Sequence, residues 1–117
     1  CPHHLLPYHG IAHIAYVPST RTVGLSKISR LLDCFAHRLI LQEDLGRQIT
    51  QALVDHLGAL GAACTLDAEQ LCMIIREVRK PGCRAVTVSY AGQMVSDHNL
   101  RREFLSAIQH EELQQKS

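Results

Sequence analysis

The hydrophobic period of this chain changes between Leu57 and Ala62. Upstream, Leu45, Ile49, Leu53 and Leu57 recur every four residues, the apolar stripe of one helix face. Gly58 and Gly61 end that pattern. Three strand-like runs follow: Ala62 to Leu66, Leu71 to Val78, and Arg84 to Tyr90, with Pro81-Gly82 as the turn between the last two. Ahead of the stripe, Gly10 to Val17 is rich in β-branched and aromatic residues and closes at Pro18, which predicts a strand. Ser26 is placed to cap a helix with Ile28, Leu31, Leu32 and Phe35 inward, and a second helix is predicted over Glu43 to Leu57. A final helix is predicted from about Asp97 to Gln109, with Leu100, Phe104, Leu105 and Ile108 inward and a frayed polar tail from Glu111 to Ser117. The order is strand, two helices, three strands, helix. Runs of like elements predict one α+β domain with a largely antiparallel sheet and helices on one face.

Composition limits the functions such a domain can have. The 117 residues suit one domain, and 46% hydrophobic with 20% charged residues is an ordinary globular balance. A formal net charge of +1 gives no bulk attraction to nucleic acid or to a membrane. No apolar run approaches the ~20 residues of a membrane helix, and no signal peptide is visible in a sequence that begins at Cys1. Five cysteines, an odd number without regular spacing, argue against a disulfide framework and for a reducing, cytoplasmic setting.

Several groups of residues can carry chemistry. Cys1-Pro2-His3-His4 contains C-x-x-H, two ligands that can reach one metal ion from a turn; a surface turn with spare histidines has the same spacing. A third ligand is needed, and spacing does not choose between Cys72 and Cys64. Gly24-Leu25-Ser26-Lys27-Ile28-Ser29-Arg30 places free backbone N–H groups and two cations, Lys27 and Arg30, at a helix start, which suits an anion or phosphate. An ordinary capped helix with a solvated basic face reads the same way. Gln42-Glu43 sets a carboxylate beside an amide, a pair able to accept from the donor edge of a purine or simply to sit favourably at a helix N-terminus. Arg76 falls on the same face of its predicted strand as Cys72, with Arg79 and Lys80 beyond. Cys34, His37, His56, Cys83, His98 and His110 are assigned to core or surface without chemistry.

Together these runs resemble one family. Cys1-Pro2-His3-His4-Leu5-Leu6-Pro7, His13-Ile14-Ala15-Tyr16-Val17-Pro18, Gly24-Leu25-Ser26-Lys27, Leu41-Gln42-Glu43, Leu71-Cys72-Met73 and Val78-Arg79-Lys80-Pro81-Gly82 occur in the order found in GTP cyclohydrolase I. The resemblance covers the chain to about Gln109 and implies a catalytic core over residues 1–117 without the family's N-terminal helical region. It implies a tunnel fold, a four-stranded antiparallel sheet with helices packed on one side. It further implies a homo-oligomer, a decamer with active sites between subunits, acting on GTP in pterin and tetrahydrofolate biosynthesis. By the same resemblance Cys1, His4 and Cys72 are the ligands of Zn2+, which lowers the pKa of a bound water. Glu43 and Gln42 hold the guanine. Ser26, Lys27, Arg30 and Arg76 hold the triphosphate, and His3 lies near the purine imidazole ring as a proton donor.

The resemblance breaks at a few positions. Two residues before the last zinc cysteine the family has a histidine, and here the residue is Gln70, which cannot exchange a proton near pH 7. Pro2 stands for a usual glutamate and Glu77 for a common glycine, and Val88 and Ala91 alter the pattern after the turn. A general acid–base group contributes about 10²–10⁴-fold. The expectation is therefore hydrolysis of the GTP imidazole ring at C8 that stops at a ring-opened formamidopyrimidine nucleotide. The alternatives are the complete reaction to 7,8-dihydroneopterin triphosphate and formate, and a catalytically silent nucleotide-binding subunit of a mixed assembly.

Overall fold

The computed structural model describes Pro2, Leu5 and residues 7–70 and 84–116. Among these residues three strands form one antiparallel sheet in the order β1-β2-β3: β1 is Tyr8–Val17, β2 is Gly61–Gln70 and β3 is Arg84–Gly92. The predicted strand over Leu71 to Val78 lies outside the described residues. β2 runs past its predicted end at Leu66 to Gln70, because every residue from Gly61 to Gln70 pairs with β1 and those from Gly61 to Glu69 pair with β3 as well. Four of its first eight residues are alanine or glycine, poor strand formers in isolation. Pairing on both edges and burial on both faces outweigh that preference.

The sheet carries helices on both faces, which corrects the expectation of one. On one face lie α1 (Leu25–Ala36) and α2 (Gln42–Leu57). Leu45, Ile49 and Leu53 of α2 bury against Ala62, Cys64 and Leu66 of β2, with Leu31, Leu32 and Phe35 of α1 packed around them. Each such buried aliphatic side chain contributes about 1.5–3 kcal/mol. The alternate residues of β2 point the other way. There Ala63 meets Met94 and Phe104, flanked by Ala15, Val17, Tyr90, Leu100 and Ile108. Met94 sits in a short 3-10 turn, Gln93–Val95, and the others of that flank include residues of α3 (His98–Lys116). One phase of β2, Ala62, Cys64, Leu66 and Ala68, is apolar and lies under α2, while the other is small at Gly61 and Ala63, where Met94 and Phe104 cover it, and polar at Thr65, Asp67 and Glu69.

Helix ends are set locally. Gly24, rather than Ser26, is the N-cap of α1; it is extended, and Lys27 N–H donates to its carbonyl at 3.0 Å. Ser26 therefore sits inside the first turn. α2 stops at Gly58, whose φ of +76° is the left-handed cap conformation that favours glycine. Asp97 caps α3 by accepting from the N–H groups of Asn99 (3.0 Å) and Leu100 (3.2 Å). α3 then continues through the tail expected to fray, to Lys116. Among the described residues no helix is long and apolar enough to cross a membrane.

Candidate functional site

A crevice of about 170 Å³ opens where the start of β1, the end of α1, the start of α2 and the latter part of β2 meet. Tyr8, Ala36, Gln42 and Ala68 line it, one from each element that meets there. Tyr8 donates its hydroxyl to the carbonyl of Ile40 at 2.9 Å, tying β1 to the loop that leads into α2. Burial, and then the nearby negative charge of Glu43, hold the Tyr8 phenol above its ordinary range. The hydroxyl thus keeps its proton at neutral pH and stays a donor. Glu43 is exposed in the first turn of α2, where the helix dipole favours a carboxylate.

Gln42, beside it, is buried to 1% exposure and is the most connected side chain of the region. Its Nε2 donates to the Leu66 carbonyl (2.9 Å), to the Ala85 carbonyl (3.0 Å) and to Thr87 Oγ1 (3.2 Å). Its Oε1 accepts from Gln70 Nε2 at 2.9 Å. The carboxamide thereby joins α2 to both β2 and β3. Three acceptors around one nitrogen and one donor at the oxygen leave a single sensible orientation of the amide. The amide hydrogens of Gln42 are spent inside the protein, and Glu43 alone of the Gln42-Glu43 pair presents its side chain to solvent.

Ser26, Lys27 and Arg30 are exposed on α1, but Ser26 and Lys27 lie at its other end. That end is held near the close of β1, where Tyr16 Oη accepts from Val23 N–H at 3.1 Å. At about 1.5 Å rise per residue, Ser26 stands roughly 15 Å along the helix from Ala36, which lines the crevice. The fold thus brings Gln42, Glu43 and Gln70 together and leaves the cation-bearing helix start apart from them within one chain.

Cys1, His3, His4, Cys72 and Arg76 lie outside the described residues. Among the described residues no three His, Cys, Asp or Glu side chains come together in a way that could hold a metal. Cys64, the other cysteine that spacing allowed as a ligand, is fully buried in the core beneath α2. Burial pushes its thiol up to about 12, so it stays protonated and is a poor ligand.

The GTP cyclohydrolase I family model matches residues 1–109. The chain belongs to the GTP cyclohydrolase I family. It is 45% identical over 109 residues to the GTP cyclohydrolase 1 of Chromobacterium violaceum, covering 93% of this chain and 53% of that protein. It is 45% identical over 108 residues to the GTP cyclohydrolase 1 of Dictyostelium discoideum, covering 92% and 47%. A Synechococcus GTP cyclohydrolase 1 is 46% identical over 110 residues, covering 94% and 48%. The chain spans about half the length of these curated relatives.

For a member of this family, the crevice adds residues that its motifs did not single out. Tyr8 reaches the Ile40 carbonyl in the loop before α2 from 32 residues away, and Thr87 reaches Gln42 from 45. No local pattern marks them, because each acts through a contact made only when the sheet closes on α2. The link between Gln70 and Gln42 is likewise invisible in sequence, 28 residues apart.

Proposed function

We propose that this chain forms part of an enzyme that opens the imidazole ring of GTP at C8 and carries the reaction through formate release to 7,8-dihydroneopterin triphosphate. The observation that carries this reading is the Glu43 carboxylate, exposed beside the Tyr8 crevice on a helix start locked by Gln42. The names of the relatives support the same substrate.

In this reading Glu43 accepts the N1–H and 2-amino hydrogens of guanine. Tyr8 remains a neutral donor to Ile40 and holds the entry loop in place. Lys27 and Arg30, with Ser26 and Arg76, offset the charge of the triphosphate. In this reading a second copy supplies the phosphate end, as in the assembly that the resemblance implies, and the working unit is a homo-oligomer. Two thiols and an imidazole, from Cys1, Cys72 and His4, are a donor set suited to zinc with an open fourth position. Zinc bound there would supply an activated water at neutral pH. His3 is the side chain that can move a proton at the purine ring.

A second reading stops at the ring-opened formamidopyrimidine nucleotide. Gln70 favours it, because a carboxamide bonded to Gln42 carries no exchangeable acid proton where the family has a histidine. One experiment separates the two. Zinc-loaded protein is given GTP, and formate and product mass are followed together. Formate with dihydropterin supports the complete reaction. A ring-opened product without formate supports the arrested one. Unchanged GTP overturns both and leaves a silent subunit.

A further inference from the structure

We propose that Gln70 is a positioning residue for guanine recognition, acting through Gln42 on Glu43. The inference rests on the reading that Glu43 holds the base. Three observations carry it. Gln70 Nε2 donates to Gln42 Oε1 at 2.9 Å, at the end of β2. The other end of the Gln42 carboxamide is bonded to Leu66, Ala85 and Thr87, on β2 and β3. Gln42 is the first residue of α2, and Glu43 is the second.

The chemistry of the carboxamide makes the link directional. Gln42 Nε2 faces three acceptors, so Oε1 must point the other way, and an acceptor buried at 1% exposure needs a donor. Gln70 provides one. Without it, the cheapest response is for the Gln42 side chain to turn toward water, which releases its bonds to the two strands and lets the first turn of α2 shift. Glu43 is in that turn. A carboxylate that accepts two hydrogens from one base edge is sensitive to such a shift, because both bonds must keep their geometry at once. In this account Gln70 acts through its N–H donor, and its loss shows in base selectivity rather than in proton transfer.

The test compares GTP with inosine 5′-triphosphate, which lacks the 2-amino group that Glu43 would accept from. Affinity for both is measured by titration calorimetry on the oligomeric protein and on Gln70→Ala, Gln70→Glu and Gln70→His, with circular dichroism confirming the fold. The wild type is expected to prefer GTP. Gln70→Ala should cut that preference at least five-fold, chiefly through weaker GTP binding. Gln70→Glu keeps the shape but sets an acceptor against Gln42 Oε1, so it should cut the preference similarly. It also decides the matter if Gln70→Ala does not fold. Gln70→His restores an N–H donor and should recover most of the preference. An unchanged preference in a folded Ala or Glu variant overturns the proposal and leaves the base-binding role of Glu43 intact. A wild type that binds the two nucleotides equally overturns that role, and the proposal with it.

Discussion

Two cysteines among the described residues show how one residue type takes opposite characters. Cys34 is exposed on α1, while Cys64 lies on β2 in the core beneath α2. Iodoacetamide at neutral pH should label Cys34 in the native protein and reach Cys64 only after denaturation, as peptide mass mapping would show. Cys64 also makes stability depend on pH. Its thiol ionises near 9.0 in the unfolded chain but is held protonated to about 12 in the fold. Below pH 9.0 both states carry the proton and the contribution is intact. As pH rises from 9.0 toward 12 the unfolded state ionises first and stability falls. Urea midpoints measured above pH 9.0 should drop more steeply for the wild type than for Cys64→Ala; equal slopes would show that the thiol is not buried as described. The same scale contains the contrast between Gln42 and Glu43. Both read as polar residues at a helix start, and only the fold buries one and exposes the other.

At the scale of elements, α2 and α3 hold the sheet from opposite sides by different means. α2 buries a continuous aliphatic stripe and adds the Gln42 clamp. α3 relies on Phe104 in a smaller cluster with Ala63 and Met94, and on a hydrogen bond between His13 Nε2 and the Glu111 carboxylate at 3.1 Å. Glu111 is half exposed, so that pair contributes at most about 1 kcal/mol. Phe104→Ala should therefore cost about 3 kcal/mol in denaturant unfolding and loosen α3 in hydrogen exchange. The amides around Gln42 should keep their protection, because they lie on the other face. Loss of protection on both faces would mean that the two helices are energetically one unit. Most of this element order was legible in the sequence: the stripe of α2, the stop at Gly58, the β-branched β1 and the start of α3 near Asp97 are local signals. The length of β2 was not, because Asp67, Ala68, Glu69 and Gln70 become strand only by pairing with a neighbouring strand. The placement of α3 was not either, since its apolar face fits either side of a sheet until α1 and α2 have taken one.

For the whole molecule, the proposed sharing of each site between copies can be tested at Lys27 and Glu43. If each site takes its base end from one copy and its phosphate end from another, Lys27→Ala and Glu43→Ala should each lose activity. Co-refolded mixtures should regain it, toward a quarter of the wild-type sites at equal amounts, since only sites that draw both wild-type residues work. Absence of any recovery in mixed oligomers would place both residues in one chain's site. The residue types that the proposed zinc, guanine and phosphate contacts call for, and the order in which they come, were present in the amino-acid sequence alone, because ligand chemistry and short spacings are local properties. Which polar side chains are spent inside the protein, which face the crevice, and which of two apolar faces each helix covers were decided only by the tertiary structure. These depend on contacts across 28 to 45 residues of chain, such as Gln70 to Gln42 and Gln42 to Thr87, that no local pattern encodes.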